Sequence, residues 1–475
     1  MTATINRYLA GNFGPVHDEL TVTELEVTGN LPAHLDGRYV RNGPNPLAEA
    51  DPNRYHWFTG DGMLHGVRIR DGRAEWYRNR WVRSMKVAEG LGESPRRGVP
   101  HAGMDFASNT NVIEHAGATL ALVEGGARPY ELTDELDTVG ICDFDGTLDG
   151  GFAAHPHLDP ATGELHAVTY YWGWGNKVRY VVVGTDGRVR RSVDVPVTGS
   201  PMLHDFSLTE DYVVLYDLPV TLDLDIVSGR SKPVPKLIGK LPDPVLSRVT
   251  RSGGGGTGVF PYSWNDDYPA RIGLLPREGA ARDVRWFDIE PCFVFHPMNA
   301  YQENGGVVLD VVRHPRMFVS DRTGPNPNID GSPSLHRWTV DIAAGKVREE
   351  QVHDRAVEFP RVDERLTGRR HRYGYAVGLD DSGASAHSVV RHDLATRNTT
   401  ARSLGEGRQA GEFVFVPTSD TAAEDDGVLM GFVYDAVRDR SDLELLDAAT
   451  LETVATVQLP VRVPHGFHGN WMPTA

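Results

Sequence analysis

The sequence predicts an all-β protein, and a recurrent strand pattern carries that prediction. Short runs rich in β-branched and aromatic residues follow one another along the whole chain. In chain order they are TLALVEG, LHAVTYYW, YVVVG, DYVVLYDLPV, GVVLDVV, YGYAVGL, EFVFVP and GVLMGFVYD. Glycine and proline, at 51 and 31 residues, separate these runs, and no long helical periodicity interrupts them. Many short strands in a chain of 475 residues favour a sandwich, a barrel or a propeller, and the propeller is the most economical.

The bulk composition excludes several classes of protein. The net charge of -17 leaves no broad basic face for phosphates, so we expect no nucleic-acid partner. The chain has two cysteines, Cys142 and Cys292, far apart in the sequence. That number excludes a disulfide framework and a cysteine zinc site, and it suits a reducing compartment. With no secretory pattern at the start and no apolar run long enough to cross a bilayer, a cytoplasmic location is expected.

One basic segment, 228–251, interrupts the acidic chain. Its sequence, SGRSKPVPKLIGKLPDPVLSRVTR, has lysines and arginines against a single acid, Asp243. Two interpretations stay open: a solvated surface loop, or a basic apolar lip in peripheral contact with a membrane, where a lipophilic substrate enters. The following glycine run, 253–258, matches GxGxxG, but VFPYSW rather than a helix follows it. We therefore expect a flexible loop there and no nucleotide site.

Four histidines share one setting, between apolar or small residues and beside a turn former. They are His155 in FAAHPHLDP, His204 in PMLHDF, His296 in FVFHPMNAY and His468 in GFHGNW. Each of them alone would be interpreted as an ordinary core histidine. A propeller changes that interpretation, because the innermost strands of all its blades meet at one axis. Ligands remote in sequence can converge there, so the sequence predicts a four-imidazole metal site.

Three glutamates lie in similarly apolar stretches: Glu124 in LALVEGG, Glu358 in AVEFPR and Glu412 in GEFVFVP. A buried carboxylate is costly unless it is paired or strongly hydrogen-bonded. A metal-bound imidazole needs an acceptor for the ring N–H that faces away from the metal, and carboxylates commonly provide it. The glutamates therefore suit that task, although each taken singly could be an ordinary residue at a strand end.

The motifs around these residues resemble those of the carotenoid cleavage oxygenase family, which includes apocarotenoid-cleaving and stilbene-cleaving enzymes. The matching stretches run in order along almost the whole chain, and so many of them together are highly specific. They are GRYVRNGPNP at 37–46, HWFTGDGMLHGV at 56–67, NTNV at 109–112, AHPHLDPATGE at 154–164, MLHDF at 202–206, PARIGLLPR at 269–277, FHPMNAY at 295–301, EFPR at 358–361 and PHGFHGNW at 464–471.

The resemblance implies a seven-bladed β-propeller that forms a single domain over 1–475. A cap of loops and short helices would cover the metal face, formed by insertions that include about 228–265. The four histidines match the family's iron ligands, with one Fe(2+) per chain and O2 as co-substrate. The glutamates match the carboxylates that hold three of those ligands: Glu124 with His204, Glu358 with His296, and Glu412 with His468.

Further residues take roles through the same resemblance. Thr110 matches a residue whose methyl group crowds one otherwise open coordination position. The aromatic residues suited to a substrate tunnel are Phe58, Tyr170, Tyr171, Trp172, Trp174, Phe293 and Phe295. Of these, Phe58, Tyr171, Trp172 and Phe293 are the predicted substrate-binding residues. The neighbouring histidines are expected to be structural: His56, His65, His157 and His465.

The implied reaction is cleavage of a carbon–carbon double bond with O2, giving two carbonyl products. In the family's lignostilbene and isoeugenol branch, a lysine precedes the first of the glutamates and binds the substrate phenol. Here Val123 holds that position, so a carotenoid or apocarotenoid is preferred to a 4-hydroxystilbene. Three alternatives remain: stilbene or phenylpropanoid cleavage, isomerisation of a polyene ester, and a metal-free propeller that scaffolds protein partners. The oligomeric state is left open.

Overall fold

Strands make up almost all of the regular structure in the computed structural model, which describes residues 6–223, 226, 260–319, 328–380 and 385–474. In the first third of the chain the strands are β1 (Thr21–Thr23), β2 (Val27–Gly29), β3 (Gly37–Pro44), β4 (Gly62–Arg70), β5 (Arg73–Trp81), β6 (Asn111–His115), β7 (Ala118–Leu122), β8 (Tyr130–Leu132), β9 (Thr138–Ile141), β10 (His157–Leu158) and β11 (Leu165–Tyr170).

The middle of the chain continues the same pattern of short antiparallel strands. These are β12 (Lys177–Val183), β13 (Val189–Pro196), β14 (Phe206–Leu208), β15 (Tyr212–Asp217), β16 (Val220–Leu222), β17 (Tyr262–Trp264), β18 (Arg271–Pro276), β19 (Arg285–Asp288), β20 (Pro297–Glu303), β21 (Gly306–Arg313), β22 (Arg316–Val319) and β23 (Asn328–Asp330).

The last third holds the longest strand, β25. Its strands are β24 (Ser334–Asp341), β25 (Lys346–Arg361), β26 (Tyr373–Leu379), β27 (Ala386–Asp393), β28 (Asn398–Ser403), β29 (Arg408–Ala410), β30 (Val414–Pro417), β31 (Gly427–Asp435), β32 (Arg440–Asp447), β33 (Thr453–Gln458) and β34 (Gly469–Pro473).

In the part of the chain that the structure describes, helical structure is limited to short pieces between the strands. The α-helix α1 (Met85–Gly90) begins after Ser84, whose side chain accepts a hydrogen bond from the backbone of Val87. The remaining pieces are single 3-10 turns at Arg7–Leu9, Gly11–Phe13, Trp57–Thr59, His101–Gly103, Trp172–Trp174, Ala281–Asp283 and Glu364–Leu366. Among the residues described, no helix is long and apolar enough to cross a membrane.

The strands of the described ranges form seven blades around one axis. Blade 1 has the order β1-β5-β4-β3-β34, blade 2 β6-β7-β8-β9, blade 3 β10-β11-β12-β13, and blade 4 β14-β15-β18-β19. Blade 5 is β20-β21-β24-β25, and blade 6 is β25-β26-β27-β28, so β25 belongs to both. Blade 7 is β2-β33-β32-β31, with β29 and β30 both paired to β31. The prediction of an all-β, seven-bladed propeller is confirmed.

Apolar faces of neighbouring blades pack against each other all the way round the ring. Tyr39 of blade 1 and Phe432 of blade 7 belong to one fully buried cluster, and Val40 and Val112 join blades 1 and 2. A larger cluster, centred on Tyr180, Leu215 and Trp338, joins blades 3, 4 and 5. Each blade presents an apolar face to both of its neighbours. The polar hub of the ring is therefore enclosed by hydrophobic walls.

The ring is closed by strands from the two ends of the described chain. In blade 1, β3 pairs antiparallel with β34, with Gly37 opposite Pro473 and Arg41 opposite Gly469. In blade 7, the early strand β2 pairs with the late strand β33. All eight residues of β3 are buried. This pairing fixes the position of His468, which directly precedes β34.

Most of the segment 228–265, which the sequence places in the cap, lies outside the described residues, as does all of the basic segment 228–251. The described end of the cap segment, Tyr262–Trp264, forms β17 and pairs with β16. The strand β17 also contacts β22, which pairs with β23 in a second small sheet.

The close approach of β3 and β34 predicts a strong effect of Gly37→Ala. A Cβ atom at Gly37 would lie 2.3 Å from the Met472 carbonyl oxygen and 2.8 Å from the Trp471 ring. We expect this overlap to lower the free energy of unfolding by about 1–3 kcal/mol, measured by denaturant unfolding followed by circular dichroism.

Gly411→Ala is the matched control for this change. A Cβ atom there would meet its nearest neighbours at 3.5 Å, which is ordinary van der Waals contact. Equal stability of the two variants would show that ring closure does not depend on the β3–β34 contact.

Candidate metal centre

The hub of the propeller receives one side chain from each of the seven blades. Four are the histidines of the sequence prediction, each just before the innermost strand of its blade: His155 before β10, His204 before β14, His296 before β20 and His468 before β34. Blades 2, 6 and 7 supply Glu124 after β7, Glu358 within β25 and Glu412 before β30. The innermost strands therefore deliver residues remote in sequence to one point.

The four imidazoles form a compact group that could hold a metal ion. One nitrogen of each ring lies within 4.8 Å of those of the other three, and all four residues are buried. The Nε2 atoms of His204 and His296 are 3.4 Å apart. The ring centroids of His155 lie 4.4 Å from those of both His204 and His468. Because imidazole nitrogens so close together would repel if protonated, the arrangement suits a shared cation.

His155 shows why the hub could hold a metal ion. Its Nε2 atom is buried and, within the part of the chain the structure describes, has no hydrogen-bond partner. Burial and the three neighbouring imidazoles lower the pKa of His155 well below its ordinary value, so this ring is neutral. A buried, neutral imidazole nitrogen without a partner can bind a metal ion, and at His155 three further imidazoles converge on the same point.

Three of the rings are held from behind by the predicted glutamates. Nδ1 of His204 is 2.7 Å from Glu124 Oε2, and Nδ1 of His296 is 2.7 Å from Glu358 Oε2. Nδ1 of His468 lies 3.0 Å from Glu412 Oε1. These contacts place the N–H on Nδ1 and leave the unprotonated Nε2 with a lone pair for a metal ion.

Each glutamate is itself fixed by a further polar group. Glu358 also receives His314, whose Nε2 is 2.6 Å from Oε1. Burial alone would raise the pKa of Glu358, but the imidazoles of His296 and His314 outweigh it and lower that pKa well below its ordinary value. The carboxylate therefore stays charged although it is buried.

Glu412 is held in the same way by a cation. Its Oε1 accepts a hydrogen bond from the Arg361 guanidinium at 3.3 Å, and its Oε2 accepts one from the Gly469 backbone at 2.9 Å. Burial would raise the pKa of Glu412, but Arg361 and His468 bring it to about 2.

Glu124 neighbours the phenol of Tyr170, and burial together with this carboxylate raises the pKa of Tyr170 well above its ordinary value.

Phe359 packs directly on two of the ligand rings. Its centroid is 5.3 Å from those of both His296 and His468, stacked on the first and edge-on to the second. Its backbone φ is 51°, in the left-handed region that a bulky residue rarely adopts. Such strain persists only where the surrounding structure enforces it, and it is typical of functional sites. Here Glu358 contacts Nδ1 of His296, and the next residue, Phe359, packs on the rings of His296 and His468.

Thr110 contacts the ligand segment through its backbone. Its carbonyl oxygen accepts a hydrogen bond from the His468 backbone N–H at 3.0 Å. Its hydroxyl donates to Asn109 Oδ1 at 3.1 Å. These contacts place Thr110 next to the ligand segment of blade 1, and the role of its methyl group at the metal stays a prediction.

The predicted tunnel residues fall into two groups. Phe58 and Phe293 lie in an aromatic cluster with Phe295, whose ring is 5.1 Å from that of His204. Phe318 also joins this cluster. The other two contact different partners: the Tyr171 ring lies 5.0 Å from His101 and 5.2 Å from Trp172. The structure therefore brings Phe58 and Phe293 together beside the hub, and places Tyr171 and Trp172 in a separate group.

Several residues of the site were not singled out from the sequence. Asp205 directly follows His204 in MLHDF, and Phe359 and Arg361 lie in EFPR beside Glu358, so their positions in these motifs were available as a signal. His314 lies in no motif of the resemblance. It reaches Glu358 because His314 and Phe293 form an isolated bridge next to the start of blade 5.

Removal of one hub imidazole is expected to abolish metal binding. In a titration of metal-free protein with cobalt(II), the unchanged chain should take up about one ion, and His204→Ala should lose at least 100-fold in affinity. His166→Ala is the control, because His166 is equally buried but hydrogen-bonds Tyr180 in blade 3. Equal cobalt uptake by the two variants would contradict a metal site at the hub.

Comparison with known proteins identifies the family. Residues 13–473 match the family described as RPE65, retinal pigment epithelial membrane protein. The chain is 54% identical to a carotenoid cleavage oxygenase of Mycobacterium tuberculosis, over 99% of this chain and 98% of that protein. The lignostilbene dioxygenase of Pseudomonas brassicacearum superposes with a TM-score of 0.83 at 27% identity, over 100% of both chains.

A cobalt-substituted oxygenase of Synechocystis superposes with a TM-score of 0.81 at 29% identity, over 97% of both chains. The prediction that this protein is an oxygenase is confirmed by these relatives. A match that spans nearly every residue, with the hub histidines gathered as the motifs imply, shows that the chain belongs to the RPE65 and carotenoid cleavage oxygenase family.

Proposed function

We propose that this protein is an iron(II)-dependent dioxygenase that cleaves a carbon–carbon double bond of a carotenoid or apocarotenoid, giving two carbonyl products. The single observation that carries the proposal is the buried group of four imidazoles, with donor atoms within 4.8 Å of one another. A relative at 54% identity, named as a carotenoid cleavage oxygenase, supports the same reaction.

The donor set fits iron(II) chemistry. Imidazole binds zinc, copper, nickel and iron, so the ligands alone do not select the metal, and family membership supports iron. Four neutral rings leave the divalent charge uncompensated by direct ligands, and an iron(II) ion held there would activate O2 beside the alkene. His155, His204, His296 and His468 would hold it, and the three glutamates would fix the orientation of three of those rings.

The task of the remaining side chains is to bind and orient an apolar substrate. The rings of Phe58, Phe295 and Phe318 form an apolar surface that reaches the His204 imidazole. Such a surface suits a conjugated polyene, which offers little for a charged group to recognise. One oxygen atom of O2 would join each carbon of the cleaved bond, so the reaction balances without an added reductant.

The position before Glu124 supports a polyene over a hydroxystilbene. Val123 is buried in a small apolar cluster with Ala107 and Ala127, against Phe106. A phenol or phenolate would find no charged partner in this cluster. A lipophilic substrate without a phenol is therefore the better match.

Oxygen labelling tests the proposed reaction. Iron-loaded protein is incubated with a carotenoid and an apocarotenoid under 18O2, and the products are reduced at once so that carbonyl oxygen cannot exchange with water. We expect one labelled oxygen in each of the two fragments by mass spectrometry, and none with His204→Ala. An isomerised polyene without oxygen uptake, or cleavage of resveratrol alone, would contradict the proposal.

Substitution of Val123 tests what sets the substrate class. Val123→Lys introduces a charged group beside Glu124, and we expect the ratio of kcat/KM for resveratrol to that for a polyene to rise by tenfold or more. Val123→Leu is the matched control, because it changes the volume of this apolar cluster without adding charge. If both variants keep the original ratio, the residue at 123 does not determine the substrate.

A further inference from the structure

The fourth hub imidazole differs from the other three in the carboxylate behind it. His204, His296 and His468 each contact a glutamate through Nδ1. For His155, the carboxylate nearest Nδ1 is Asp205, whose Oδ2 lies 3.7 Å away. Asp205 immediately follows His204, so one short segment of blade 4 supplies both a ligand and the carboxylate behind the ligand of blade 3.

Asp205 is itself fixed by two donors on its other oxygen. Oδ1 accepts hydrogen bonds from His157 Nε2 at 2.8 Å and from the Phe206 backbone at 2.7 Å. The Asp205 side chain is only 5% exposed, whereas that of His157 is 28% exposed. His155 and His157 are two residues apart and both face Asp205, so one carboxylate spans two histidines of the neighbouring blade.

The distance from His155 Nδ1 to Asp205 is too long for a hydrogen bond but short for a charge contact. At 3.7 Å, the N···O distance exceeds the upper end of the ordinary N–H···O range, about 3.2 Å, by about 0.5 Å. A small rotation of the His155 ring would close the gap, and contacts of this kind commonly tighten when a site is occupied.

We propose that Asp205, held in place by His157, is the positioning residue for His155: its carboxylate accepts a hydrogen bond from Nδ1–H of that ring when Nε2 binds the metal. This inference rests on the metal site of the proposed function. It gives His157 a role that the sequence did not predict, because His157 acts only through Asp205. The hub then has four ligands and four outer carboxylates, three glutamates and one aspartate.

The competing explanation is that Asp205 only supports the start of β14. Its contact with the Phe206 backbone and the packing of the His157 ring on Phe206, at 4.8 Å between centroids, would be enough for that purpose. A purely structural role predicts lower stability when Asp205 is changed. It predicts no change in the metal site itself.

Cobalt(II) bound to the otherwise metal-free full chain separates these explanations. The readouts are the visible absorption spectrum of the bound cobalt and its rate of loss to an excess of chelator. Asp205→Asn keeps the size of the side chain but removes its charge, and we expect a shifted spectrum and a 10–100-fold lower affinity. His157→Leu should show the same change to a smaller extent. His157→Gln, which retains a donor for Asp205, should restore most of the affinity.

Asp159→Asn is the matched control. Asp159 is a buried aspartate of blade 3, the blade of His155 and His157. It pairs with Arg277 at 2.6 Å and does not contact the hub histidines through any described hydrogen bond. We expect this variant to keep the cobalt spectrum and the rate of loss even if its melting temperature falls. Should Asp205→Asn fail to fold, the two substitutions of the more exposed His157 make the same test.

A wild-type spectrum and rate of loss in Asp205→Asn, or in His157→Leu where the first variant does not fold, would overturn the inference and leave the metal site intact. Failure of the unchanged protein to bind cobalt, or full cobalt binding by His204→Ala, would instead overturn the proposed function on which the inference rests. The two failures are therefore distinguishable within one set of measurements.

Discussion

The pairing of β3 with β34 is the interaction on which the rest of the structure depends. It joins strands from the two ends of the described chain into blade 1 and thereby closes the ring. Every apolar face between blades then has a partner, and His468 is brought to the hub beside ligands from blades 3, 4 and 5. An open ring would leave two apolar blade faces in water and the group of four imidazoles incomplete.

The polar hub is stable because its charges are satisfied across blade boundaries. The carboxylate behind His296 comes from blade 6, that behind His468 from blade 7, and that behind His204 from blade 2. A buried polar network of this kind is costly when partly formed and rigid when complete. The imidazoles therefore acquire their final orientation only when the neighbouring blades are in place, which couples assembly of the fold to the geometry of the site.

The sequence alone predicted the strand-rich architecture and the ligands better than it predicted their surroundings. Alternating runs and turn formers indicate strands directly. The blade count came from family resemblance, because no regular repeat marks the blades in the sequence and strand β25 belongs to two of them. The strained backbone of Phe359 and the contact of His314 with Glu358 depend on tertiary packing that no local pattern encodes. Tyr171 packs on His101 and Trp172 packs on Tyr171, apart from the aromatic cluster beside His204, and a substrate role for these two residues stays a prediction.

Strand β25 has a consequence that reaches beyond the site itself. Its first part, up to Gln351, is the outer edge of blade 5, while Val357 and Glu358 pair with β26 at the inner edge of blade 6. One continuous stretch of backbone therefore links the rim of the molecule to the carboxylate behind His296. A slip of a single residue in the pairing with β26 would turn Glu358 away from its imidazole. The shift of register between Gln351 and Ala356 lets the rim and the hub ends of this strand pair separately.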